Sequence, residues 1–182
     1  MATFYLLPQG IPAGTTNNWL CSTGSDFVDL VDEDDDSTYI YETTQNHQIT
    51  YGFHDPSVAE EGIDFDEDVT VSAFVHAHYT HSSGIVNMAI RTMGSGIMLA
   101  ATTVAVDDST YPPYSGVSGT DKAISTPWDY TGLQNLQMNL KCTGRPARFN
   151  YLRVSYIFFR VDYTEVAATI TTDNATFFGA NF

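Results

Sequence analysis

The chain has 182 residues, the length of one ordinary domain, and 43% of them are hydrophobic, which excludes a disordered chain. Seven basic residues stand against twenty-two acidic ones, for a formal net charge of −15; such a surface repels phosphate backbones and anionic lipid, so neither nucleic acid nor membrane is expected as a partner. There is no signal-peptide-like apolar segment after Met1 and no apolar run of about 18 residues, so the chain is expected to act without secretion or membrane insertion.

From the N-terminus, "MATFYLLPQGIPAGTTNNWL" reads as a short apolar strand followed by Pro and Gly breaks. Residues 1–26 are therefore assigned to an N-terminal arm with a first strand. Five consecutive acids, Asp32-Glu33-Asp34-Asp35-Asp36, then run directly into the β-forming stretch "STYIYE". Asp32, Asp34 and Asp36 alternate, as hard-cation ligands can, and make weak candidates for a structural calcium ion. The EF-hand template fails, with Ser37 where the loop needs Gly and Thr43 where it needs the closing Glu. The competing and preferred reading is a solvated turn that blocks edge pairing. Asp64, Asp66 and Asp68 repeat the alternation in "IDFDEDVT".

Strands are expected at 38–44 and 47–54, and most clearly at 69–80, "VTVSAFVHAHYT". There Val69, Val71, Ala73, Val75, Ala77 and Tyr79 share an apolar face, while Thr70, Ser72, Phe74, His76, His78 and Thr80 share the other. His76 and His78, with His81 beyond the strand, have a spacing that zinc sites use; histidines facing solvent are the preferred reading. Ser82-Ser83-Gly84 is read as a hairpin turn into a strand at 85–93. Another strand is expected at 97–106, then a long Pro- and Gly-bearing loop. Within 126–136 a short helical turn is expected, capped by Asp129 or Thr131. Strands at 136–143 and 149–166 follow, the latter apolar on both faces in its middle and so expected to be central. Residues 167–182 form a C-terminal arm with one charge, Asp173, that ends on Phe177, Phe178 and Phe182.

These elements predict an all-β, antiparallel two-sheet jelly-roll sandwich at 27–166, with one short helical turn and extended terminal arms. Cys21 and Cys142 are expected to be free, buried thiols rather than a disulfide. The sequence lacks a GxSxG elbow, a P-loop and a dinucleotide fingerprint, so no enzymatic activity and no cofactor are expected. Loop aromatics Tyr111, Tyr114, Trp128 and Tyr130 offer one further reading, a glycan-binding module that stacks sugars; against it, Trp128 can simply plug one end of the sandwich.

The acidic turn with "STYIYE", then "DFDEDVTVSAFVHAHYT", "WDYTGLQNLQMNL" and "RVSYIFFRVDYTE" resembles β-sandwich proteins of tailed-phage virions. The resemblance covers about residues 27 to 165. Its matching positions are Trp128, Leu133, Leu136, Arg153, Val154, Tyr156, Val161 and Tyr163, with Tyr156 early and followed by Ile157, Phe158 and Phe159. It implies a capsid decoration, or cement, protein on the outer capsid surface, assembled in the host cytoplasm and often trimeric. The implied partners are the major capsid protein and other copies of the chain, with no catalytic residues carried over. The expected contact residues are Phe4, Tyr5, Leu6, Leu7, Phe177, Phe178 and Phe182. The alternative remains a glycan-binding sandwich of a tail or fibre.

Overall fold

A computed structural model describes residues 1–23, 38–53, 62–67, 69–80, 84–94, 97–107 and 128–166. Its elements are β1 (Ala2–Leu6), β2 (Leu20–Cys21), β3 (Ile40–Glu42), β4 (Gln48–Phe53), β5 (Thr70–Tyr79), β6 (Ile85–Gly94), β7 (Ile97–Asp107), α1 (Tyr130–Gln134), β8 (Leu136–Cys142) and β9 (Leu152–Tyr163). All pairings are antiparallel. One sheet has β9 at its centre, flanked by β5 along one edge and by β1 and β3 along the other, with β2 outside β3; the second runs β4-β8-β6-β7. The pairs β3–β9 and β4–β8 are nested, first strand with last, and the chain passes from sheet to sheet between them. This interleaving is the order of a jelly roll.

Alternation explains which faces close on each other. Val71, Ala73, Val75, Ala77 and Tyr79 of β5 are all buried, as their shared apolar face requires. They meet Ile49, Tyr51 and Phe53 of β4, Met88 and Ile90 of β6, Met138 and Leu140 of β8, and Ile157, Phe159 and Val161 of β9 in one core. Phe53 and Phe159 bridge the two sheets edge to face, ring centroids 4.7 Å apart. As expected, β9 is the central strand, although only its inner face is closed.

The β5–β6 hairpin does not form. β5 pairs with β9, β6 pairs with β7 and β8, and so the two strands lie in different sheets. A turn signal shows that the chain reverses; it does not show whether it reverses within a sheet or over the core. The in-sheet hairpin is β6–β7, with Gly94 opposite Ile97.

The N-terminal segment belongs to the fold. β1 pairs with β9 from Ala2–Tyr163 to Leu6–Phe159. Residues 9–18 then close the outer edge of β4: Gln9 N–H donates to the Gly52 carbonyl (2.9 Å), Gly52 N–H to Gly10 (2.8 Å) and Asn18 N–H to Gln48 (3.0 Å). That coverage removes an edge on which strands would otherwise add. Of the two candidate caps, Asp129 caps α1, its Oδ1 accepting from Gly132 N–H at 2.6 Å.

Candidate interaction face

β9 carries a bulge. Tyr156 stands opposite His76, but Val154 stands opposite Ala77, so Ser155 is the extra residue. The bulge resets the alternation. Leu152 and Val154 point inward before it, Ile157, Phe159 and Val161 after it. Arg153, Tyr156, Phe158, Arg160 and Asp162 therefore lie on the outer face.

Their neighbours on that face are also aromatic. Phe158 stacks on Phe74 of β5 at 4.7 Å with the rings 3° from parallel. Tyr5 of β1 meets Phe158 edge-on at 5.6 Å, and Tyr156 lies 5.0 Å from the same ring. The Arg160 guanidinium sits 5.5 Å over Phe74, and its Nε donates to Asp162 Oδ2 at 2.9 Å. Asp162 Oδ1 accepts from Thr3 Oγ1 at 2.6 Å. His76, beside Tyr156, lies 3.2 Å from the Ser155 hydroxyl.

At the β3 end of the sheet lies a second group. Tyr151 stacks on Tyr39, 6.1 Å apart and 11° from parallel, and lies 5.2 Å from Tyr41. The Arg153 guanidinium is 5.2 Å over the Tyr39 ring. The hydroxyls of Tyr39 and Tyr151 are 3.4 Å apart. That hydrogen bond, with burial second, raises the Tyr151 phenol above the usual tyrosine range.

An outer sheet face facing water is ordinarily polar. Here the central strand offers rings and guanidinium groups, and Tyr5 is 56% exposed. Each ring pair contributes about 0.5–1.5 kcal/mol beyond its area burial, and the flat rings leave a surface on which another protein surface can stack.

The expected site residues fall in several places. Of the N-terminal contact residues, Tyr5 alone is exposed on this face. Phe4 turns inward, edge-on to Tyr163 at 5.5 Å. Leu6 is fully buried in the core and Leu7 half-buried just beyond the strand. Leu6 is thus corrected from contact residue to core residue, because its register opposite Phe159 turns it inward. Trp128 is 7% exposed and belongs to the core; its ring lies against Gly132, where an added Cβ would be 3.5 Å away. Tyr130 is half-buried on α1. Tyr111, Tyr114, Asp32, Asp34, Asp36, Asp68, His81, Phe177, Phe178 and Phe182 lie outside the described residues. Among the described residues no three His, Cys, Asp or Glu side chains stand together as a metal site.

Neither Cys21 nor Cys142 is in a disulfide, and Cys142 is buried and Cys21 half-buried. Burial first, then the nearby Glu42 carboxylate, pushes the Cys142 thiol up to about 11. Its folded pKa lies above that of the unfolded chain. The contribution to stability is therefore whole below about pH 9 and is lost as pH rises towards 11. At pH 8 a thiol reagent should titrate one cysteine per native chain, Cys21, and two in denaturant. Two fast-reacting thiols in the native protein would contradict this placement.

Sequence reading missed Phe74, Tyr156 and Phe158 as a surface, and also Tyr39, Tyr41 and Tyr151. A signal was present for the first group, since Phe74 stands among Thr70, Ser72, His76 and His78 on the polar side of its strand. No family model matches the chain, and no curated protein matches it.

Proposed function

We propose that this chain is a structural assembly protein, a jelly-roll virion protein of the capsid-decorating type that acts as a homotrimer and binds a capsid surface. The observation that supports this reading best is the aromatic outer face of the five-stranded sheet, from Tyr5 through Phe158 and Phe74 to Tyr156. Rings on a solvent-side sheet face are useful to a protein whose task is to be covered by another. The strong net negative charge fits a particle exterior, where it opposes nonspecific aggregation. The virion assignment itself rests on the sequence resemblance. Glycan binding draws less support, because Trp128, the best stacking platform in the sequence, is buried against Gly132.

Light scattering on the purified chain across a hundredfold concentration range tests the assembly reading. A mass of three chains, unchanged between calcium and excess EDTA, is the expected result. A single-chain mass at every concentration would overturn self-assembly; a trimer that dissociates in EDTA would restore calcium binding at the acidic run.

A further inference from the structure

The two outer edges of the four-stranded sheet differ. The β4 edge is closed by the chain itself, through the backbone hydrogen bonds that Gln9, Gly10 and Asn18 make to it. At the other end stands β7, 11 residues long. It pairs with β6 on one side, and among the described residues no backbone group bonds to its far side. A long open edge is a place where another strand adds, and proteins that must not add one put charges or a proline there. β7 has neither along its length. From Ile97 to Val106 it reads "IMLAATTVAV", uncharged in a chain of net charge −15.

The pairing with β6 limits what can add. Thr92 stands opposite Ala100 and Met93 opposite Met98, so Leu99 is an extra residue that bulges the strand. The regular ladder begins at Ala100, and the first charged residue after it is Asp107. Ala101, Thr103 and Ala105 are exposed on the outer face, while Val106 is buried on the inner one. The run 100–106, free of both bulge and charge, is centred on Thr103.

Charge indicates which strand fills the edge. A basic partner strand would find no carboxylate along residues 97–106 to recognise. Two copies of this acidic chain, by contrast, repel each other least along a run that carries no charge. Paired antiparallel about Thr103, they place Thr103 opposite Thr103 and Ala101 opposite Ala105, outer face with outer face as the pleat requires. Opposed threonines are a favourable cross-strand pair, and the two Asp107 residues stand at opposite ends of the ladder.

We propose that β7 pairs with β7 of a second copy, antiparallel about a two-fold axis at Thr103, so that the two four-stranded sheets become continuous. A two-fold contact of one patch with itself is isologous. It therefore lies outside a three-fold interface and joins a chain of one trimer to a chain of the next; the pairing itself does not depend on the trimer reading. One strand pair buries less than the roughly 1,200 Å² of a stable interface, so the contact is read by cross-linking and not by mass in dilute solution.

Single cysteines in a Cys21→Ser background test it, at exposed positions where the fold tolerates them. Directly opposed residues of an antiparallel pair have Cα atoms about 4.5–5.5 Å apart, within the span of a disulfide. Thr103→Cys should therefore give a two-chain species under mild oxidation, reversed by reductant. Ala101→Cys alone and Ala105→Cys alone should not, because in each the two thiols sit four residues out of register, roughly 14 Å apart. Mixed one to one, those two variants should cross-link to each other. Absence of the Thr103 cross-link would overturn the proposal. Equal cross-linking of all three single variants would show random collision, and a Thr103 cross-link without the mixed one would contradict the antiparallel register; either would overturn it too. The wild-type mass is a separate reading: register-specific cross-links in a chain that is otherwise monomeric would keep the β7 pairing and overturn only the trimer.

Discussion

Replacing Phe159 with alanine is expected to lower folding stability by about 3–5 kcal/mol. The residue is fully buried on the central strand, opposite Leu6 on one side and Ala73 on the other, and edge-on to Phe53 of the facing sheet. One ring therefore joins three strands and both layers, and its neighbours cannot collapse into the space without moving a sheet. Its sequence neighbour is the control. Phe158 is half-buried on the outer face, where it contacts three rings, so Phe158→Ala should cost less, about 1–2 kcal/mol, in the isolated subunit. Urea unfolding of the two variants reads the difference as a shift in midpoint. A larger loss for Phe158→Ala than for Phe159→Ala would mean that the two faces are reversed, which would contradict the bulge at Ser155.

Glu42→Ala carries the second large effect, about 2–4 kcal/mol. This carboxylate is 2% exposed and lies at the end of β3, where the chain leaves one sheet for the other. Its Oε1 accepts from both Thr43 and Thr44 N–H at 2.7 Å, and its Oε2 lies 3.0 Å from His47 Nδ1. The same corner is tied to β8, with Asn46 N–H donating to the Cys142 carbonyl and Cys142 N–H to that of His47. Alanine strands two backbone donors and removes the partner of His47. Glutamine keeps an acceptor for the two amides and loses only the charge, so Glu42→Gln should cost about half as much or less. Equal losses for alanine and glutamine in urea unfolding would show that the charge, and not the capping of Thr43 and Thr44, holds the corner.

Much of the fold was legible because period-two patterning is set by burial on one side. The expected strand at 69–80 is β5 at Thr70–Tyr79, that at 136–143 is β8 at Leu136–Cys142, and 149–166 contains β9 at Leu152–Tyr163. What failed was anything set by partners far apart in sequence. Alternation counted forward from Leu152 and Val154 puts Tyr156 and Phe158 inward; only the pairing with β5 shows that Ser155 is extra and that the pair is reversed. The Tyr39–Tyr151 stack joins residues 112 apart in sequence and exists only because β3 pairs with β9. Glu42 read as an ordinary polar strand residue. Its burial depends on two amides of the following turn and a histidine five residues on, none of which a hydrophobic pattern records.

The placement of the N-terminal aromatics depends on pairing in the same way. Aromatic residues near the chain ends looked like docking groups because an uncharged, ring-rich segment is out of place in water. In the fold Leu6 is core, Phe4 leans on Tyr163, and Tyr5 joins a surface whose other members come from β5 and β9. That exposed aromatic surface of the described residues thus lies on the sheet.

The measurement that tests this most directly is the solution mass of a Tyr5→Ser/Phe74→Ser variant beside the wild type, by light scattering at matched concentration. Both side chains lie on the outer face, so the variant should keep its strand signal while its mass falls from three chains to one. A variant that retains the wild-type assembly, or a wild type that never exceeds one chain, would contradict the claim that this aromatic face is where the subunits meet.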